Sequence, residues 1–422
     1  MSFFSRYKRF FLLLGFTALI FIIGYFIWQV FFKSTSLISP PDITPPGTPG
    51  EFPSPGPSTP GEYSPGEDGG LPGITDPNQA INPRPGDPSL GAPSEVALGG
   101  KTLVTPINPE PSLGITLNQG GNLQYYDRSS GLFYKLNPDG SKTTLSDRVF
   151  HSVRQVTWAK RGDKAILTYP DGNKIVYDFN SQKQVTLPSH WEDFSFSADG
   201  ERIAAKNIGY DSSDSWLIAA NADGSRAVGV EPIGDRHPYV YPSWSPAGQI
   251  VALNTEGVSF DRQEVFFVGL NGENFKSTII EGRNFQSQWS PEGEKLLYSV
   301  YSSRDNYSPR LWVVNAQVNT IGENRHQLGL MTWSNKCAFA SETDLYCAVP
   351  AEMPEGAGMF PSLADEFPDT IYKIDLTTGG KKIIAIPDGF FNVSQMVVSE
   401  NQDYLYFLDK YSGTVNEIKL SY

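Results

Sequence analysis

The stretch Pro242-Ser243-Trp244-Ser245-Pro246-Ala247-Gly248-Gln249-Ile250-Val251-Ala252-Leu253 reads as a strand end, a tight turn and the start of a second strand. Proline presets φ within the turn and glycine supplies a positive φ. The apolar run that follows suits a strand buried on both faces. Near copies lie on either side. Ser287-Gln288-Trp289-Ser290-Pro291-Glu292-Gly293 leads into Lys295-Leu296-Leu297-Tyr298. Phe194-Ser195-Phe196-Ser197-Ala198-Asp199-Gly200 leads into Arg202-Ile203-Ala204-Ala205, and Val156-Thr157-Trp158-Ala159-Lys160-Arg161-Gly162 leads into Lys164-Ala165-Ile166-Leu167. A second strand pair follows in several copies, turned by Asp223-Gly224 or Asn271-Gly272. Such dipeptides between apolar runs are strong hairpin signals. Each unit therefore reads as four antiparallel strands in about 40 residues, the size of a propeller blade.

Taking the residue that ends each first strand as an anchor gives Leu117, Trp158, Phe196, Trp244, Trp289, Trp333 and Val398. The expected fold class is all-β, a single propeller of seven blades, or six if Leu117 is a false match. The last blade, read as Val393–Val398, Tyr404–Asp409 and Val415–Leu420, is one strand short. Lys101-Thr102-Leu103-Val104-Thr105-Pro106 resembles the fourth strands of other blades and is expected to complete it. Pairing the two ends in one sheet removes an exposed strand edge.

Ahead of this domain the composition changes twice. From Phe10 to Phe32 the chain is almost unbroken apolar sequence, long enough to span a bilayer core. Arg6, Lys8 and Arg9 precede it and Lys33 follows. The positive-inside rule then places residues 1–9 in the cytoplasm and everything after the span outside. The run exceeds the apolar core of a cleaved signal peptide, so an uncleaved anchor in the plasma membrane is expected. Residues 33–100 are rich in Pro, Gly, Ser and Thr, with little aliphatic surface to offset ordering entropy. They read as a disordered, locally polyproline-like stalk, and residues 101–422 as the propeller.

The net charge of -13 argues against binding nucleic acid through a basic surface. Cys337 and Cys347 flank a turn that brings them opposite each other. They form a cross-hairpin disulfide in an oxidising compartment, or two small buried hydrophobes in a reducing one. Three inserted loops, around Tyr210, Tyr301 and Phe360, each join a second strand to a third and should share one face of the disc. Long loops commonly carry function. Tyr210, Asp211, Asp214, Tyr301, Arg304, Asp305, Tyr307 and Phe360 are the candidate binding-surface residues. Asp211, Asp214, Asp305 and Asp365 have calcium-ligand chemistry but read first as solvated turn residues, so no metal or cofactor is assigned. Trp158, Trp244, Trp289 and Trp333 read as packing between blades. His151, His190, His237 and His326 fall in no metal-binding spacing, and no nucleophile elbow or phosphate loop is present.

Trp-Ser-Pro-x-Gly at Trp244 and Trp289, with Phe196-Ser197-Ala198-Asp199-Gly200, resembles the WD40-like repeat of TolB-type β-propellers over residues 101–422. The resemblance implies an extracytoplasmic propeller acting mainly as a protein-interaction platform. No catalytic residue carries over, and the α/β domain that accompanies the propeller in TolB has no counterpart here. The expectation is a membrane-tethered, non-enzymatic binding or scaffold module for an envelope protein or glycan. The alternative is a glycosidase or lyase with carboxylates gathered at one mouth of the channel.

Overall fold

The structure, a computed structural model, describes residues 82–421 and, before them, the helical Thr17, Leu19, Phe21 and Ile22. Most of the expected membrane span and most of the expected stalk therefore lie outside the described residues. Among the described residues no helix is long and apolar enough to cross a membrane.

Seven four-stranded antiparallel sheets make up a seven-bladed β-propeller. Blades 1 to 6 cover residues 112–144, 155–187, 191–232, 240–281, 283–327 and 337–385. Blade 7 takes three strands from 393–419 and its outermost from Thr105–Asn108, at the other end of the domain. Thr105 pairs with Glu417 and Pro106 with Asn416, so the ring is closed by hydrogen bonds between chain segments some 300 residues apart. The closing strand starts four residues later than the sequence reading placed it. Leu117 ends the first strand of blade 1, so that anchor is a true one and the count is seven.

The repeated turn works as its residues dictate. The backbone N–H of Ser245 donates to Ile250 O at 2.8 Å, that of Ser290 to Lys295 O at 3.0 Å and that of Ser197 to Arg202 O at 2.9 Å. At Ser290 and Ser197 the hydroxyl accepts a second bond from the residue that opens strand two, 2.9 Å from Lys295 N and 3.0 Å from Arg202 N, whereas Ser245 Oγ accepts from Ala247 N at 3.3 Å. Gly248 and Gly293 close the turn at φ +90° and +78°. Blade 7 puts Gln402 at that position with φ 58°, which is why its turn is hard to read in the sequence.

Trp158 and Trp289 bond across blades, whereas the indole of Trp244 donates to Gly248 O of its own turn at 3.2 Å. The indole N–H of Trp158 donates to Gly114 O of blade 1 at 2.7 Å, and that of Trp289 to Ser243 Oγ of blade 4 at 2.9 Å. Around the seam between blades 7 and 1, Gln395 performs this task with its amide, accepting from Ile115 N at 3.1 Å and donating to Ile115 O at 2.8 Å. Trp333 departs from the expected repeat position. A one-turn 3-10 helix, Ser334–Lys336, intervenes, and the first strand of blade 6 is Cys337–Phe339. The true anchor is Phe339, since the next residue, Ala340, closes the turn onto Asp344 O at 2.9 Å.

The sequence also puts the start of the ordered domain too late. Residues 82–100, expected in the disordered stalk, pack along the outer strand of blade 6. Gly91 N donates to Lys381 O at 2.7 Å and Ser94 N to Ile383 O at 3.0 Å, followed by a short helix, α1 (Glu95–Leu98). Asn82 is buried, its amide donating to Met331 O and Pro350 O and accepting from Met331 N at 2.6 Å. A polar, proline-rich stretch can thus be ordered by satisfying backbone groups of an open strand edge, without contributing a core of its own.

Candidate binding face

Successive strands run antiparallel, so connections from second to third strand, and from a fourth strand to the next blade, emerge on one face of the disc. The Ser-Pro-x-Gly turns and the third-to-fourth turns emerge on the other. The three long loops around Tyr210, Tyr301 and Phe360 are second-to-third connections.

Two of the three meet. Gly356 N donates to Asn306 O at 2.9 Å and Gly358 N to Tyr307 O at 2.7 Å, seating the blade 6 insertion on the blade 5 loop. A Cβ at Gly358 would lie 2.4 Å from Tyr301 Cβ, so the approach depends on glycine. Tyr301 and Tyr307 are half-buried, with ring centroids 6.3 Å apart, and they support the loop junction more than they face solvent. Asp305 accepts from Ser302 Oγ at 2.6 Å and pairs with Arg310 at 2.8 Å. Arg304 is exposed beside it. The blade 3 loop packs against its own blade's exit turn, Gly234–Tyr239. Its Tyr210 is fully exposed, and Asp211 and Asp214 are exposed without ion pairs of their own. Among the described residues no three His, Cys, Asp or Glu side chains gather as a metal site.

Two contributors are not evident from the sequence. In blade 4 the second and third strands, Ile250–Ser259 and Arg262–Gly269, run on past the blade and turn over Phe260-Asp261. The hairpin looks like ordinary strand in the sequence; its one signal is the length of the two runs. Asp261 accepts from Ser303 N at 3.1 Å and from Ser303 Oγ, tying the hairpin to the blade 5 loop. On the far side, Lys410 of blade 7 pairs with Asp365 of the blade 6 insertion at 2.6 Å, and Tyr411 donates to Asp365 O at 3.2 Å. Four neighbouring loops, from blade 4 to blade 7, are thus bonded into one raised ridge.

Apolar exposure follows the same side. Val149, Tyr210, Tyr239, Phe260, Met359, Phe360, Leu363, Phe390 and Tyr411 are all exposed in connections of this face, with Val258 at the base of the blade 4 hairpin. Among the described residues, the opposite turns themselves carry no exposed large hydrophobic, while Val185, Val228 and Ile279 are exposed on outermost strands. Phe390 and Tyr411 lie with centroids 6.5 Å apart. Beneath the ridge, Lys336 and Asp369 form a buried ion pair, 2.8 Å, completed by Asn392 Oδ1 at 3.2 Å from Lys336 Nζ and Val393 N at 2.6 Å from Asp369 Oδ2. Burial pushes the Asp369 carboxyl up, against the opposing pull of Lys336.

The opposite mouth of the channel is crossed by Lys160, which donates to Pro291 O three blades away. Burial draws the Lys160 ammonium down, opposed by Glu342 and Glu292. Glu342 is committed to structure: its Oε1 accepts from Glu292 N at 2.6 Å, and Lys295 lies 3.9 Å from its other oxygen. Cys337 and Cys347 face each other across the first two strands of blade 6 and are bonded, Cα atoms 4.0 Å apart.

Neither a protein-family model nor a curated protein sequence matches the chain. Among solved structures, it is similar to an oligogalacturonate lyase in complex with manganese, at 12% identity and TM-score 0.54, over 75% of this chain and 93% of that one. It is also similar to the β-propeller domain of Cps50 (Swd1) from Myceliophteria thermophila, at 12% identity and TM-score 0.50, over 78% and 100%. At such identities the likeness establishes the propeller fold and nothing finer.

Proposed function

We propose that this chain is a binding module, held at the plasma membrane by residues 10–32, whose loop-bearing face docks a protein partner outside the cytoplasm. The observation that carries the reading is the one-sided exposure of Phe260, Met359, Phe360, Phe390 and Tyr411 on a hydrogen-bonded ridge. Contiguous exposed apolar surface commonly marks interaction sites, and aromatic residues and Met are enriched where partners bury it. A glycan partner is the second reading, because the exposed side chains that mark this face off are mainly aromatic and aliphatic. The Cys337–Cys347 bond supports an oxidising compartment, as do the basic residues preceding the apolar run. The repeats' resemblance to TolB-type propellers agrees with a platform role.

The test is co-purification of tagged full-length chain from its native membranes. Phe260→Ser, Phe360→Ser and Tyr411→Ser together should deplete a specific co-purifying protein at least tenfold, as loss of buried aromatic anchors does. Asp139→Ser and Asp223→Ser, on the opposite turns, should leave it unchanged. Equal recovery from both variants would refute the assignment. Protease protection of the propeller in intact cells would refute the extracytoplasmic placement.

A further inference from the structure

The chain is bonded into the propeller from Asn82 onward, but its ring-closing strand begins only at Thr105. Between the two, bonds to blades 5 and 6 recur along its path. Asn82 holds Met331 and Pro350, and Tyr372 donates to Pro83 O at 2.5 Å. Gly91 N and Ser94 N hold the outer strand of blade 6, and Ser94 Oγ donates to Ile384 O at 2.8 Å. Ala97 is buried in one cluster with Leu328 and Leu330, at the exit of blade 5, and with Ile383 of blade 6. Thr102 N donates to Ile386 O at 2.6 Å, and its hydroxyl accepts from Ile386 N at 3.1 Å. Val104 N then donates to Asp388 Oδ1 at 3.2 Å.

The register of the closing strand shows what this path spares it. Thr105 pairs with Glu417 and Asn108 with Val415. A pull arriving through the preceding chain would reach Thr105 first. Because ladder bonds lie across the strands, it would peel them one pair at a time instead of shearing them together. A pull arriving at Asn82 is met by blade 6 instead.

We infer that residues 82–104 are a load-bearing latch. Tension between the membrane anchor and a partner on the ridge runs through Asn82 into blade 6, whose insertion carries Met359, Phe360 and Leu363, and so bypasses the ring-closing strand. The inference rests on the tethered, ridge-docking reading.

The experiment is optical-tweezer pulling of the full-length chain in detergent, between its N-terminus and Ser362→Cys on the blade 6 insertion. Cys337 and Cys347 are bonded, so the new thiol is the one free to take a handle. At constant force the closed ring should live about tenfold longer in this protein than in one also carrying Asn82→Ala and Asp388→Ala, which strip acceptors from Met331 N and Val104 N. Hydrogen exchange without load separates a loosened latch from a misfolded ring. In the Asn82→Ala, Asp388→Ala protein the amides of Gly91, Ser94 and Thr102 should exchange about tenfold faster, with those of the Thr105–Asn108 strand unchanged. Equal lifetimes would overturn the inference. So would residues 82–104 coming away, a lengthening of up to about 80 Å at about 3.3–3.6 Å per residue, at a force below that which opens the ring. Equal acceleration of exchange in both segments would also overturn it. Lifetimes are read without a partner, so their failure leaves the docking reading standing, and loss of docking leaves the lifetimes untouched.

Discussion

Lys336→Met should be among the most damaging single changes in the propeller. Lys336 and Asp369 are both buried, and the carboxylate has one other donor, Val393 N. Removing the cation leaves a carboxylate in the seam between blades 6 and 7, at a cost of about 3–5 kcal/mol. With about 2.1 cal/mol/K of unfolding entropy per residue, the roughly 340 residues of the domain give about 0.7 kcal/mol/K, so Tm should fall by about 4–7 °C. The pH dependence identifies the cause. Burial raises the Asp369 pKa, and without the opposing pull of Lys336 the folded value in the variant lies above the unfolded one, about 3.9. The penalty is complete above the folded pKa, shrinks as pH falls through it, and vanishes below the unfolded pKa. The gap between wild type and Lys336→Met should therefore narrow as pH falls toward the unfolded carboxylate value, about 3.9, and Lys336→Met with Asp369→Leu should recover much of the loss at neutral pH. Calorimetric melts of the three proteins at several pH values decide it. A deficit under about 1 kcal/mol, or one constant across pH, would show that the pair is hydrated and the seam is held otherwise.

Trp289→Phe removes the indole bond to Ser243 and should cost about 0.5–1.5 kcal/mol, or about 1–2 °C in the same melts. Asn82→Ala strips the acceptor from the buried Met331 N–H and should cost about 1–3 kcal/mol; no effect would return residues 82–100 to the stalk. Replacing Cys337 and Cys347 together by Ser opens a loop with a sequence separation of 10. In the chain-entropy picture this should lose about 2–3 kcal/mol in urea titrations, with little effect if the wild-type protein as purified carries free thiols.

The blades were legible because one local rule repeats: a serine that caps the next strand, a proline, a glycine at positive φ. Where another residue does the same work the signal fades, as with Gln402 in blade 7. Trp333 misled because residue type was read without its backbone role; the inserted 3-10 turn moves the anchor to Phe339. The order of residues 82–100 was hidden because it rests on bonds to the distant edge of blade 6, which composition does not encode. The candidate loops were found by length. Their joining into a ridge was not, since it depends on Asp261 meeting Ser303 and Asp365 meeting Lys410, pairings more than forty residues apart. Tyr301 and Tyr307, chosen as surface residues, turned inward for the same reason: the insertion that covers them comes from the next blade.

The most direct measurement is a photo-crosslinking scan in living cells, with a benzophenone side chain placed singly at Phe260, Phe360 and Tyr411 and, on the opposite turns, at Asp139, Asp199 and Asp223. One common protein adduct at all three ridge positions and none at the turns is the expected result. Adducts spread evenly over both faces, or confined to the turns, would contradict a partner docked on the ridge.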